Sequence, residues 1–201
     1  MAGRLYIPHL ALERLLPELV VDETLLTGTN LAPRQPLPLI RLEAGRPRLG
    51  HAFWGLTPPW LKVLDHAPHC ARAESLESRA MFRDAFAARR CLIPVGGIYV
   101  WRPMPRAKQP YLVTRVDRGP LLLAGIWCRF HTTLTEYNDS LALITVPSPA
   151  LLAPLSDRLP AVIEPADAVR WLDPQTPTAD ARQRLTPPRR NCWALFLYQE
   201  G

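Results

Sequence analysis

Proline limits what this chain can fold into, because 23 of its 201 residues are proline. Each one lacks a backbone N–H and clashes with the preceding helical turn, so proline cuts a chain into short segments. The expected architecture is rich in strands, with few helices. Segments dense in β-branched and aromatic residues and bounded by Pro or Gly recur as CLIP, GGIYVW, PYLVTRV, PLLLAGIWCRF, LALITV, PAVI and CWALFLYQ. Asp117, Arg118 and Gly119 lie between PYLVTRV and PLLLAGIW and predict a hairpin turn. The best helix is SRAMFRDAFAARR, with Ser78 as cap, Met81 and Phe82 paired with Ala85 and Phe86, and Arg89 and Arg90 closing the last turn. Pro149 and Pro165 each stand where a first helical turn accepts proline, which predicts short helices over ALLAPL and ADAVRWL. Residues 173–191 are the most loop-like stretch. With no repeat, low-complexity tract or dividing linker, residues 1–201 are expected to form a single domain.

Charge narrows the function. The net charge is +6 with a pI near 9.5, and lysine occurs only at Lys62 and Lys108. The basic groups are therefore nearly all guanidinium, whose planar donor fork grips phosphate bidentately. This balance favours a nucleic-acid partner, although solvated surface arginines give the same count. Cys70, Cys91, Cys128 and Cys192 are scattered without a CxxC pair or a secretory leader, which predicts reduced thiols in a cytoplasmic protein. No apolar run approaches a membrane span. Asp65, His66, His69 and Cys70 are the densest metal-ligand types, but no further ligands follow at a recognisable spacing, so neither metal nor cofactor is expected.

Several stretches are not explained by strand or helix making alone: TNLAPRQPLPLIR, FWGLTPPW, ARAESLESRAMFRDAF, RRCLIPVGGIYVW, KQPYLV, LALITV and LSDRLPAVI. In this order the chain resembles the SOS response-associated peptidase (SRAP) family, whose hallmarks read approximately MCGR, YNxAPxQ, WGLxPxW, NARxET, RRCLIPADGFYEW, KQPY and HDRMP. The match runs from Met1 to about Leu172. The resemblance implies a single α+β domain around a curved, barrel-like antiparallel sheet with a few short helices. It also implies recognition of abasic sites in single-stranded DNA during the SOS response. In the family, a cysteine freed by removal of the initiator methionine attacks the sugar aldehyde, its amine forms a Schiff base, and its thiol closes a thiazolidine. An Asn, a Glu and a His position and protonate the reacting atoms.

This chain departs from the pattern at each of those positions. MCGR is MAGR, placing Ala2 at the nucleophile; NAR is CAR, placing Cys70 at the Asn; YEW is Tyr99-Val100-Trp101; and HDR is Ser156-Asp157-Arg158. A positioned acid or base contributes about 10²–10⁴-fold, so the losses at Val100 and Ser156 are severe even before the missing thiol is considered. The implied protein is a single-stranded DNA-binding pseudoenzyme that forms no crosslink.

The resemblance also implies which residues hold DNA. Arg4, Arg72 and Arg158 match the phosphate-gripping arginines, with Gly3 in the same DNA-binding groove; Trp60 and Leu61 match a wedge that stacks at a junction. Thr145 matches a site contact, and Asn30 and Pro33 match a loop walling the pocket. Arg72 and Arg158 can instead form core-edge ion pairs with Glu74 or Asp157, and Trp54 or Trp60 can simply be core. Two other functions remain open. The Ala2 α-amine can form a reversible imine with an aldehyde, with the Cys70 thiol adding to it, or the chain can be a protein-binding scaffold that has lost DNA.

Overall fold

The structure is a computed structural model that describes residues 3–188 and 193–197. Its strands in chain order are β1 (Leu5–Ile7), β2 (Gly28–Leu31), β3 (Pro36–Glu43), β4 (Arg46–Trp54), β5 (Cys70–Arg72), β6 (Arg90–Val95), β7 (Gly97–Pro103), β8 (Lys108–Arg115), β9 (Leu121–His131), β10 (Tyr137–Pro147), β11 (Arg158–Pro160) and β12 (Trp193–Leu197). The α-helices among the described residues are α1 (Ala80–Ala88), α2 (Ala168–Leu172) and α3 (Thr178–Gln183). No helix among these residues is long and apolar enough to cross a membrane.

Five strands close on themselves in the circular order β3-β4-β10-β9-β6, antiparallel throughout except for the parallel pair β4 and β10. The expected strands reappear as β6 to β10 and β12, whereas PAVI gives only its first residue to β11 and continues with isolated bridges from Val162 to Leu123 and Thr186. The β3–β4 hairpin was not expected, because Pro36, Pro38 and Pro47 interrupt it. Its register explains the tolerance: Pro38 pairs with His51 of β4, while β6 meets β3 only at Ile40, so β3 is paired on one side at the proline. Pro94 occupies a similar one-sided position in β6. The hairpin turns at Ala44 and Gly45, both left-handed with φ of 51° and 78°.

A second sheet, ordered β12-β8-β7-β1-β2, leans on the barrel. The chain passes between the two across Gly96 and Gly97, where added side chains have no room. A Cβ on Gly96 would lie 2.5 Å from Pro8 Cδ, and one on Gly97 would lie 2.8 Å from Leu112 Cδ1. Leu5, Ile98, Val100 and Val113 of this sheet join the core that fills the barrel side, with Trp54, Phe82, Phe86 and Trp171 as its largest members. The burial of these apolar side chains is the main source of stability.

Four local expectations are corrected. First, β8 and β9 do not pair: Asp117 accepts bonds from Gly119 N and Arg115 Nε, both at 2.9 Å, and the turn passes the chain from one sheet to the other. Second, Ser78 does not cap α1; Arg79 occupies the N-cap, and the Ser78 hydroxyl donates to Ser75 O at 3.5 Å. Third, ALLAPL forms single turns around Pro149 O and Leu152 O, because Pro154 has no N–H with which to continue a helix. Fourth, the stretch expected to be loop contains α3.

The short helix over ADAVRWL is present, as a 3-10 turn at Pro165–Asp167 running into α2. Arg90 also closes α1 as expected, though from β6. Its buried guanidinium donates to Phe86 O at 2.9 Å, and also to Trp171 O in the last turn of α2 and Asp173 O just past it, at 2.6 and 2.5 Å. One side chain thereby satisfies carbonyls at the ends of two helices.

Candidate nucleic-acid site

The C-terminal half of β10 organises the expected site, because two short strands flank it. On one side β5 runs parallel, setting Cys70 opposite Leu143 and Arg72 opposite Thr145. On the other side β11 runs antiparallel, setting Arg158 opposite Pro147 and Pro160 opposite Thr145. Cys70, Arg72, Thr145 and Arg158, distant in sequence, thus share one patch.

Glu74 links the two arginines. Arg158 Nη2 donates to Glu74 Oε2 at 2.8 Å, and Arg72 Nε lies 3.7 Å from the same oxygen. Arg158 also donates from Nε to Thr145 Oγ1 at 3.2 Å and from Nη2 to Thr145 O at 2.8 Å. Its side chain is only 8% exposed, against 63% for Arg72. The ion pair left open by the sequence therefore exists at both arginines, at the core edge for Arg158 and on the surface for Arg72, which keeps most of its side chain in solvent. Burial opposes the charge on Glu74, but a backbone hydrogen bond and the two guanidinium groups outweigh it and hold the carboxyl below the ordinary glutamate range.

The neighbouring cleft brings two further expected positions together. Val100 and Ser156 line one cavity of about 580 Å³, together with Trp101, Lys108, Leu155 and Asp157. Val100 is placed by β7, where Tyr99 N donates to Arg4 O at 3.1 Å, so Arg4 is anchored by its backbone beside this strand with its side chain exposed. Ser156 ends the turns after Pro149, and its hydroxyl donates to Arg158 O at 2.7 Å. Gly3 has open space around it, Asn30 is exposed on β2, and Pro33 is half-buried. Ala2 lies outside the described residues.

Cys70 is poorly suited to act as a nucleophile. Burial pushes its thiol up to about 12, which leaves almost no thiolate at neutral pH. Among the described residues, no group of three or more His, Cys, Asp or Glu is arranged to hold a metal ion.

The wedge pair stands elsewhere on the surface. Trp60 is 56% exposed and so is not core, whereas Trp54 is fully buried. Leu61 lines a second cleft of about 790 Å³, with Lys62, Phe53, Phe130 and Tyr137 among its walls. The loop carrying Pro33 is tied to the wedge loop by Arg34 Nη2 and Asp65 Oδ1 at 2.6 Å. The second cleft holds an ion cluster that was not expected from the sequence. Asp139 accepts from Arg41 at 2.7 Å and from Arg129 at 2.8 and 3.0 Å, while Arg129 stacks 3.8 Å from the Tyr137 ring centre. No motif marked these residues, because β3, β9 and β10 bring them together only after pairing. Lys108 and Asp157 were also missed as cleft residues, although Lys108 falls in the KQPY stretch and is one of only two lysines.

Solved structures share this fold. A protein of Bacteroides thetaiotaomicron superposes with a TM-score of 0.87 at 19% identity, covering 98% of this chain and 92% of that one. A phage-related protein of Bordetella bronchiseptica superposes at 0.75 with 23% identity, covering 98% and 94%. In sequence, the abasic site processing protein YoqW of Bacillus subtilis is 29% identical over 162 residues, covering 79% of this chain and 72% of the relative. The abasic site processing protein YedK of Escherichia coli is 27% identical over 147 residues, covering 71% and 63%. The profile of one family spans residues 1–196, and on that match the chain belongs to the SOS response associated peptidase (SRAP) family.

Proposed function

We propose that this chain binds single-stranded DNA at abasic sites and holds it without forming a thiazolidine. The observation that carries this reading is the shared cleft of Val100 and Ser156: an apolar side chain and a hydroxyl stand where the family resemblance calls for a carboxylate and an imidazole. Arg4 and Arg72 are exposed beside it and are the groups that contact phosphate. Arg158, buried against Thr145 and Glu74, is a positioning residue that holds β10, β11 and the Glu74 turn in register. Trp60 offers an exposed ring for a base, with Leu61 beside it. Similarity to abasic site processing proteins supports the choice of DNA lesion.

The test is a denaturing gel of the full chain incubated with a single-stranded oligonucleotide carrying one abasic site. Without reductant, no band is expected to survive denaturation; a surviving band overturns the reading. Binding measured by anisotropy should weaken with salt. Each phosphate contact to a single strand contributes a slope of about −0.7, so Arg4 and Arg72 together predict about −1.4, and R72A should flatten it by about 0.7. Absence of DNA binding at low salt would leave the protein-binding scaffold as the surviving alternative.

A further inference from the structure

An abasic sugar in its ring-opened form presents an aldehyde, and aldehydes are captured by primary amines. Arginine cannot serve, because its guanidinium stays protonated in proteins. The chain's side-chain amines are Lys62 and Lys108 alone. Lys62 lines the second cleft, while Lys108 lines the cleft of Val100 and Ser156. Lys108 begins β8 opposite Pro103 at the end of β7, so the hairpin that positions Val100 also places the lysine at the rim of the same cavity. Asp157 lines that cavity too, beside the apolar side chains of Trp101, Pro103, Pro154 and Leu155.

We propose that Lys108 captures the abasic-site aldehyde as a reversible imine; this rests on the DNA-binding reading above. The ammonium first gives a proton to solvent. The Nζ lone pair then forms a C–N bond to the carbonyl carbon, and the C=O π pair takes a proton from that nitrogen to become a hydroxyl. The carbinolamine hydroxyl takes a proton from solvent and leaves as water while the nitrogen lone pair closes C=N, giving a protonated imine whose positive charge the Asp157 carboxylate in the same cavity favours. No oxidant or reductant is consumed, and hydration reverses each step. The imine lacks a thiol to close a ring, which agrees with an adduct that does not survive denaturation unless it is reduced.

The experiment treats the full chain, bound to the single-abasic-site oligonucleotide, with borohydride. The trapped fraction is divided by the fraction bound in the same samples by anisotropy, so weakened binding is not read as lost chemistry. Wild type and K62R should give equal adduct, K108R at least tenfold less, and tryptic mapping should place the reduced sugar remnant on Lys108. Undiminished adduct in K108R, or a remnant on the N-terminal peptide or Lys62, overturns the proposal. DNA binding without any trapped product overturns the lysine assignment alone, and absence of both binding and trapping overturns the DNA-binding reading with it.

Discussion

Replacing Arg158 by Met keeps the aliphatic length and removes every donor, which separates a brace from a DNA contact. The wild-type guanidinium gives two bonds to the fully buried Thr145, at 3.2 Å to Oγ1 and 2.8 Å to the carbonyl oxygen, and one to Glu74 at 2.8 Å. A buried acceptor left unsatisfied costs about 1–3 kcal/mol. The ion pair adds little, because Glu74 is 52% exposed and solvent screens it; exposed pairs contribute about 0–1 kcal/mol. Partial rescue by the flexible Met packing and by water entering from the surface lowers the sum, so R158M should lose about 2–4 kcal/mol. Urea denaturation of wild type, R158M and E74Q reads this directly, with E74Q expected to lose less than about 1 kcal/mol. A second readout is the salt dependence of DNA affinity, which R158M should leave unflattened at temperatures where it is folded. A loss below about 0.5 kcal/mol, or a slope flattened by about 0.7, would show that Arg158 contacts phosphate instead of bracing β10.

Two further outcomes follow from buried groups. The bonds from Arg129 and Arg41 outweigh burial and hold the Asp139 carboxyl below the ordinary aspartate range. A depressed carboxylate stabilises the fold fully above its unfolded value of about 4, and that stability is lost as pH falls through the lower folded value. D139N should therefore cost roughly 1–3 kcal/mol at pH 7 and flatten the acid limb of a stability–pH curve measured by urea titration; an unchanged acid limb would show that the cluster does not form. With its thiol pushed up to about 12, Cys70 should be alkylated by iodoacetamide at neutral pH at least about 100-fold more slowly than a free thiol, read by mass spectrometry. Rapid labelling of the folded protein would restore the idea that this thiol adds to an imine.

Much of the strand framework was legible because β-branched runs such as LALITV need only their own composition to favour extended backbone. The hairpin of β3 and β4 was not, since whether proline is admitted depends on which side of a strand has a partner, and the partner comes from a distant segment. The Asp117 turn misled for a related reason. Its local chemistry is that of a tight turn, yet the strands on either side pair with β7 and with β6 rather than with each other.

For the site, the sequence alone determined the residue types: no carboxylate at Val100, no imidazole at Ser156, and two lysines among many arginines. It also determined the family, because ordered motifs survive in the linear text. Only the tertiary structure decided which arginine stands mostly in solvent. Arg72 and Arg158 read alike in their motifs, but pairing of β5 and β11 on opposite sides of β10 leaves one in solvent and turns the other onto Thr145 and Glu74. Likewise, no local rule joins Lys108 to Ser156. They share a cleft because the β7–β8 hairpin faces the turns before β11, a proximity set by packing between sheets. Side-chain chemistry is written residue by residue, while burial and proximity depend on contacts between segments far apart in the chain.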